Sequence, residues 1–146
     1  MIDISGREAA LRESIELLFF AYRAFTAGPD RILAQRGLGR VHHRLLYFVG
    51  RNPDVAVKAL LQILDVSKQA LNAPLRQLVD EGLVSVRADE QDRRYKRLRL
   101  TRDGERLEAQ LTGTQMRHLA AAFARAGAPA QRGWLASMKA IARDAP

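Results

Sequence analysis

The 146-residue chain contains no cysteine. Disulfides, thiolate metal sites, cysteine nucleophiles and thiol-based redox sensing are therefore excluded. Aromatic residues make up only 6% of the chain, and its most apolar run, Leu17-Leu18-Phe19-Phe20-Ala21, is short. A membrane span needs roughly 20 such residues. Asp3 and Glu8 stand where a signal peptide requires basic residues, so an intracellular, cytoplasmic chain is expected. Catalytic signatures are missing as well. There is no His-Glu-x-x-His, no phosphate-cradling glycine loop and no Gly-x-Ser-x-Gly, and His118 has no sequence-local partner. Without a convergent acid, base, nucleophile or ligand set, no enzymatic activity, metal or cofactor is expected.

What is present is positive charge. Twenty-four Lys and Arg against sixteen Asp and Glu give a formal +8 and a pI near 10.7. That balance calls for an anionic partner: nucleic acid, acidic membrane or acidic protein. The 47% hydrophobic content suffices for one domain with a core.

Leu11, Ile15, Leu18, Tyr22 and Phe25 recur at helical spacing, which predicts a helix from about Arg7 to Thr26. Leu17, Phe20 and Ala24 widen its apolar face, so it must be covered on two sides, the second often by another subunit. Gly28-Pro29 and Gly37-x-Gly39 are expected to bracket a loop, and Val41, Leu45, Phe48 and Val49 mark a helix ending before Asn52-Pro53. Val57, Leu60, Leu61 and Leu64 form a short amphipathic helix, and Asp65-Val66 leaves room only for a tight turn. Ser67 then caps a second short helix, with Leu71, Leu75, Leu78 and Val79 inside and Gly82 at its end. This is a helix-turn-helix pattern. Pro74 is expected to kink the second helix without breaking it.

Beyond Gly82 the period changes to two. Val84 and Val86 share one face of Leu83 to Ala88; Lys96, Leu98 and Leu100 oppose Tyr95, Arg97 and Arg99 in the returning limb. The two limbs predict a half-buried two-stranded ribbon with Asp89 to Arg94 as its loop. Thr101 caps a long helix from Arg102 to Ala126, with Gly113 its weak point, and Ala128-Pro129 starts a last one. The expected fold is mainly α with a small β-hairpin wing.

Lys68, Gln69, Asn72 and Arg76 share the helix face opposite Leu71, Leu75 and Leu78, with Ser67 at its start. Arg and Lys bond guanine, Asn and Gln bond adenine, and an exposed helix fits the major groove of duplex DNA. On an isolated helix this face would read as a solvated polar surface. The neighbouring ribbon tips the balance, because Arg87, Arg93, Arg94, Arg97 and Arg99 extend the positive face towards a flanking minor groove and phosphates. A winged-helix adaptor that binds protein is the alternative, yet it has no need of Lys68, Asn72, Arg76 and Arg94 on one basic face. Membrane-surface binding is not expected, since the basic residues are not strung along one apolar-faced helix.

Asp89-Glu90-Gln91-Asp92-Arg93-Arg94, an alternating strand and Leu100-Thr101-Arg102-Asp103-Gly104 are similar to the D-x-R-D-x-R wing and L-T-x-x-G of the multiple-antibiotic-resistance regulator (MarR) family. The order of elements resembles that winged helix-turn-helix family over nearly the whole chain. Gln91 departs from it, standing where the family carries its first wing arginine. The resemblance implies a homodimer built by residues 1–36 and 105–146 around a winged DNA-binding lobe at 37–104. It also implies that Arg94 enters the minor groove with Asp92 orienting it, plain turn capping being the lesser alternative for Asp92. Arg93 and Arg97 are expected on phosphates, and Arg99 and Arg102 either there or as simple surface charges. By the same resemblance the operator is a pseudo-palindrome with half-sites about one helical turn apart. Such regulators usually repress transcription, and a small aromatic or phenolic effector releases many of them. The candidate pocket is Tyr22, Arg23, His42, His43, Arg44 and Tyr47, where a cation beside aromatic walls suits an aromatic carboxylate. Adjacent histidines point about 100° apart on a helix and cannot share a metal.

Overall fold

The computed structural model describes residues 4 to 144; Asp3 and the outermost ends of the two flanking segments lie outside the described residues. Helix α1 (Ile4–Ala34) is followed by α2 (Arg40–Arg51), β1 (Val55–Ala56), α3 (Val57–Leu64) and α4 (Lys68–Asp80). The chain then forms β2 (Val84–Ala88), β3 (Lys96–Leu100), α5 (Arg102–Ala126) and α6 (Ala128–Arg143). The result is a mostly helical protein with one small antiparallel sheet.

The expected loop at Gly28-Pro29 is helix instead. Gly28 lies so close to α5 that a Cβ there would stand 2.9 Å from Thr114 Cγ2, and Pro29 is fully buried. Proline forfeits one helical hydrogen bond, but packing against α5 offsets that loss and the local break signal loses. The helix stops at Gly37, whose φ of 68° is open mainly to glycine. Leu38 N–H then reaches back to the Leu33 carbonyl at 2.9 Å and tucks its side chain into the core. Helix α4 ends the same way: Gly82 has φ 73°, and Leu83 N–H bonds the Leu78 carbonyl at 2.9 Å.

Ser67 caps α4 as expected, its Oγ accepting from Ala70 N–H at 3.1 Å. The preceding turn is set by Asp65, left-handed at φ 51°. Helix α4 continues unbroken through Pro74. The ribbon proves to be three-stranded, in the order β1-β3-β2. Val84 faces Leu100 and Val86 faces Leu98 across β2 and β3, while Val55 and Ala56 pair with Leu98 and Arg97 on the other side. Val84, Leu98 and Leu100 are buried, whereas Val86, expected on the buried face, is 42% exposed on the edge strand β2, beside the fully buried Leu98 of the central strand.

The core draws Leu33 from α1, Leu45, Leu46 and Val49 from α2, Leu60 from α3, Leu71 and Leu78 from α4, and Leu107 and Leu111 from α5. Each buried leucine stabilises the fold by about 1.5–3 kcal/mol. One tight junction closes it. Thr101 Oγ1 accepts from Gly104 N–H at 3.0 Å and donates to the Gly82 carbonyl at 2.6 Å, while Thr101 N–H bonds the Leu83 carbonyl at 3.1 Å. The first turn of α5 thereby sits on the end of α4 and the root of the wing. Residues 5–24 of α1 are all exposed, and α6 rests on α5 with Phe123 and Trp134 edge-to-face at 5.4 Å. Among the described residues no helix is long and apolar enough to cross a membrane.

Candidate nucleic-acid interface

Helix α4 turns Leu71 and Leu78 into the core and leaves Lys68, Gln69, Asn72 and Arg76 exposed. Among the described residues none of these four is engaged by an ion pair or a side-chain hydrogen bond, so their donors and acceptors stay available. Gln77, one position further on, has a different task. His42 Nδ1 accepts from Gly39 N–H at 2.9 Å, so its Nε2 carries the proton and donates to Gln77 Oε1, also at 2.9 Å. Gln77 Nε2 in turn donates to the Gly37 carbonyl at 3.2 Å. His42 is thus a bracket that fixes the α1–α2 connection to α4, and it does not line the cavity between α1, α2 and α5.

The wing is a lattice of arginine and aspartate. Arg94 Nε donates to Asp92 Oδ1 at 3.0 Å and its Nη2 to Asp92 Oδ2 at 2.8 Å, with 85% of the Arg94 side chain in solvent. Asp92 Oδ1 also accepts the Arg94 backbone N–H at 3.1 Å. The two roles expected for Asp92, orienting the guanidinium and capping the turn, are therefore filled together. Arg94 holds the Asp92 carboxyl below the usual carboxylate range. Asp89 shapes the loop by accepting from Gln91 N–H at 2.8 Å and Asp92 N–H at 3.1 Å. Arg97, expected on a phosphate, is instead half-buried and bound to Asp89 Oδ2 at 2.7 Å and to the Asp54 carbonyl at 3.2 Å. Arg93 is exposed with its charge uncommitted among the described residues, and Gln91 contributes only its backbone to the turn. Sequence reading missed Asp54, which belongs to no periodic pattern and lies more than thirty positions before the arginines it meets.

A cavity of about 380 Å³ opens between α1, α2 and α5, and of the expected residues Tyr22, His43, Arg44 and Tyr47 line it. Arg23 does not; its guanidinium lies over the rings of Phe19 and Phe20. Residues that the sequence did not single out complete the wall. Arg40 is clamped to Asp30, with Nη2–Oδ2 at 2.9 Å, and stacks on Tyr22, and Thr112, Met116 and Leu119 come from α5. Thr112 hydroxyl donates to Glu108 Oε1 at 2.9 Å, so its oxygen accepts from His43 Nε2 at 3.1 Å and leaves His43 Nδ1 as an acceptor.

Burial pushes the His43 imidazole below its ordinary value, only partly opposed by Asp30. The unfolded chain then takes up the proton before the folded one does. Stability is complete above about pH 6.5 and declines as pH falls from there through the lower folded value. His43→Gln should flatten this limb of the stability curve, as measured by chemical denaturation in steps between pH 5 and 7. An unchanged slope would assign the pH dependence to other groups.

An exposed groove-sized helix, a basic three-stranded wing and a separate cavity open to solvent together define a winged helix-turn-helix DNA-binding protein. Residues 36–94 match the MarR family. The HTH-type transcriptional regulator PetP of Rhodobacter capsulatus is 45% identical over 131 residues, covering 90% of this chain and 79% of PetP. The fold is also that of FabT of Streptococcus pneumoniae, solved in complex with DNA (TM-score 0.79, 17% identity, 92% of this chain and 98% of that one). PcaV of Streptomyces coelicolor, solved with its natural ligand, superposes with a TM-score of 0.70 at 17% identity, covering 100% of this chain and 99% of that one. The chain belongs to the MarR family of transcriptional regulators, which are non-enzymatic DNA-binding proteins.

Proposed function

We propose that this protein is a homodimeric, cytoplasmic repressor that binds a pseudo-palindromic operator and is released by a small aromatic or phenolic acid, with no resident cofactor. The observation that carries the DNA-reading part is the uncommitted face of α4, where Lys68, Gln69, Asn72 and Arg76 remain exposed while Leu71 and Leu78 anchor the helix. Ser67 at the N-terminus of that helix and Arg93 on the wing suit phosphates, and Arg94 at the wing tip suits a minor groove. Dimerisation is supported by exposed apolar side chains on the flanking helices: Ile15 (69% exposed), Phe19 (62%) and Ile141 (58%) are too large an unpartnered set for a monomer in water. The release step is supported by the cavity, which combines Arg44 with the apolar walls of Tyr47, Met116 and Leu119. PcaV, with this fold, was solved holding a ligand.

Selection of bound duplexes from random DNA by the purified protein, at near-physiological salt, tests the reading. The expected result is a pseudo-palindrome with half-sites about one turn apart, whose binding weakens when benzoate or a hydroxybenzoate is added at millimolar concentration. Recovery of no motif, with only weak salt-sensitive binding, would replace this reading with that of a protein-binding adaptor.

A further inference from the structure

Asp54 lies between α2 and β1, outside the wing, yet it gathers arginines from both long wing strands. Its carboxylate accepts from Arg99 Nε at 3.2 Å, from Arg99 Nη2, and from Arg87 Nη2 at 3.3 Å. Its backbone carbonyl accepts from Arg97 Nη1 at 3.2 Å. Arg87 and Arg97 are direct cross-strand partners, an arrangement of like charges that opposes sheet formation unless a counter-charge lies nearby. Asp54 holds a left-handed backbone at φ 64°, a conformation with a cost of its own. Arg87 and Arg99 keep 53% and 60% of their side chains in solvent, and ion pairs that exposed contribute little to stability. Relief of the Arg87–Arg97 repulsion accounts for part of this arrangement, but not for the capture of solvent-exposed Arg99, whose cross-strand partner is Ser85, by a residue in a left-handed conformation.

We infer that Asp54 is a positioning residue for DNA recognition: it withholds Arg87 and Arg99 from indiscriminate phosphate contact and ties the wing strands to the segment that follows α2. Without it the wing would carry free cations that grip any duplex. With it, the donors of α4 and of Arg93 at the wing tip stay free, beside Arg94 held on Asp92. The inference rests on DNA binding through α4 and the wing.

Asp54→Asn, which keeps the shape and the tolerance of left-handed backbone, separates charge from fold. Binding to a selected operator and to a scrambled duplex of equal length is measured across a salt series. Each freed arginine that reaches a phosphate steepens the slope of log K against log salt by about 0.9. The scrambled duplex should therefore show a slope steeper by about 1 to 2 and several-fold tighter binding at low salt, and the operator-to-scrambled ratio should fall at least about threefold. Asp54→Glu, which keeps the charge, should retain the parental slope. Unchanged slope and ratio in Asp54→Asn, with only a lowered Tm, would overturn the inference. Should Asp54→Asn fail to fold, Arg87→Gln and Arg99→Gln in the parent decide the question. Withheld arginines leave the scrambled-duplex slope as it was, whereas a slope shallower by about 0.9 per substitution would overturn the inference. A parent that bound no duplex would overturn both this inference and the DNA-reading role on which it rests.

Discussion

Gly104→Ala should destabilise the protein by at least about 3 kcal/mol, the upper end of the range for overpacked sites. A Cβ at this position would stand 1.9 Å from the Leu83 carbonyl oxygen and 2.9 Å from its carbon. Both atoms are backbone, so no side-chain rotamer relieves the clash. The only way out is to lift the first turn of α5 off Leu83, which breaks the hydrogen bond from Thr101 N–H to that same carbonyl and the donation from Thr101 to Gly82. Urea denaturation checks this, with Gly133→Ala as the control. Gly133 lies in α6 with nothing within 4 Å of where its Cβ would sit, and alanine there should be neutral or stabilise by up to about 1 kcal/mol. Equal midpoints for the two variants would mean that α5 does not pack on Leu83 as described. The final glycine of Leu-Thr-x-x-Gly thus has a steric cause, and the threonine two: it caps one helix and ties down the end of another.

Arg94→Ala should weaken operator binding by about 1–3 kcal/mol, roughly five- to 150-fold, with little change in thermal stability. The guanidinium is 85% exposed and its partner Asp92 lies on the same loop, so its removal leaves no buried charge and breaks no core contact. The clamp on Asp92 fixes Nε and Nη2 and leaves the far edge of the guanidinium to project forward, the geometry needed to enter a narrow, strongly negative minor groove. Titration of operator DNA by fluorescence anisotropy measures the loss. Parental affinity in Arg94→Ala would remove the wing tip from the interface.

The features legible in the sequence are those with a local period or a local cap. Leu71, Leu75 and Leu78 announce α4 by spacing, Ser67 and Thr101 announce helix starts by chemistry, and the alternation from Tyr95 to Leu100 announces β3. Contacts made at a distance stay hidden. The Gly28-Pro29 pair reads as a break because the compensation comes from Thr114, far along the chain. Strand β1 has two residues, too few to alternate, so the third strand of the wing leaves no trace. The site divides along the same line. Lys68, Gln69, Asn72 and Arg76 are exposed where their helical face puts them. Arg97 and Arg99 read as free surface cations because nothing nearby in sequence says that Asp54 and Asp89 will hold them. His42 and Arg23 sit close in sequence to cavity residues and point elsewhere, one into Gln77 and the other over two phenylalanine rings. A helix separates neighbours by about 100°, and proximity in sequence does not decide which of them shares a wall.

The Thr101 junction also has a mechanical side. Helix α5 has 25 residues, which makes it about 37 Å long. Its first turn is joined to α4 and the wing by short contacts that do not stretch, and further along it packs against α1 and α6. It is a lever with the reading head fixed to one end. A tilt of about five degrees about the far end carries that head through about 3 Å. In a dimer spanning half-sites about 34 Å apart, a displacement of that size on each side is enough to put two recognition helices out of step with two grooves. In the proposed dimer the DNA-binding lobe would then stay rigid throughout, and the proposed release would reduce to the angle at which two such levers meet.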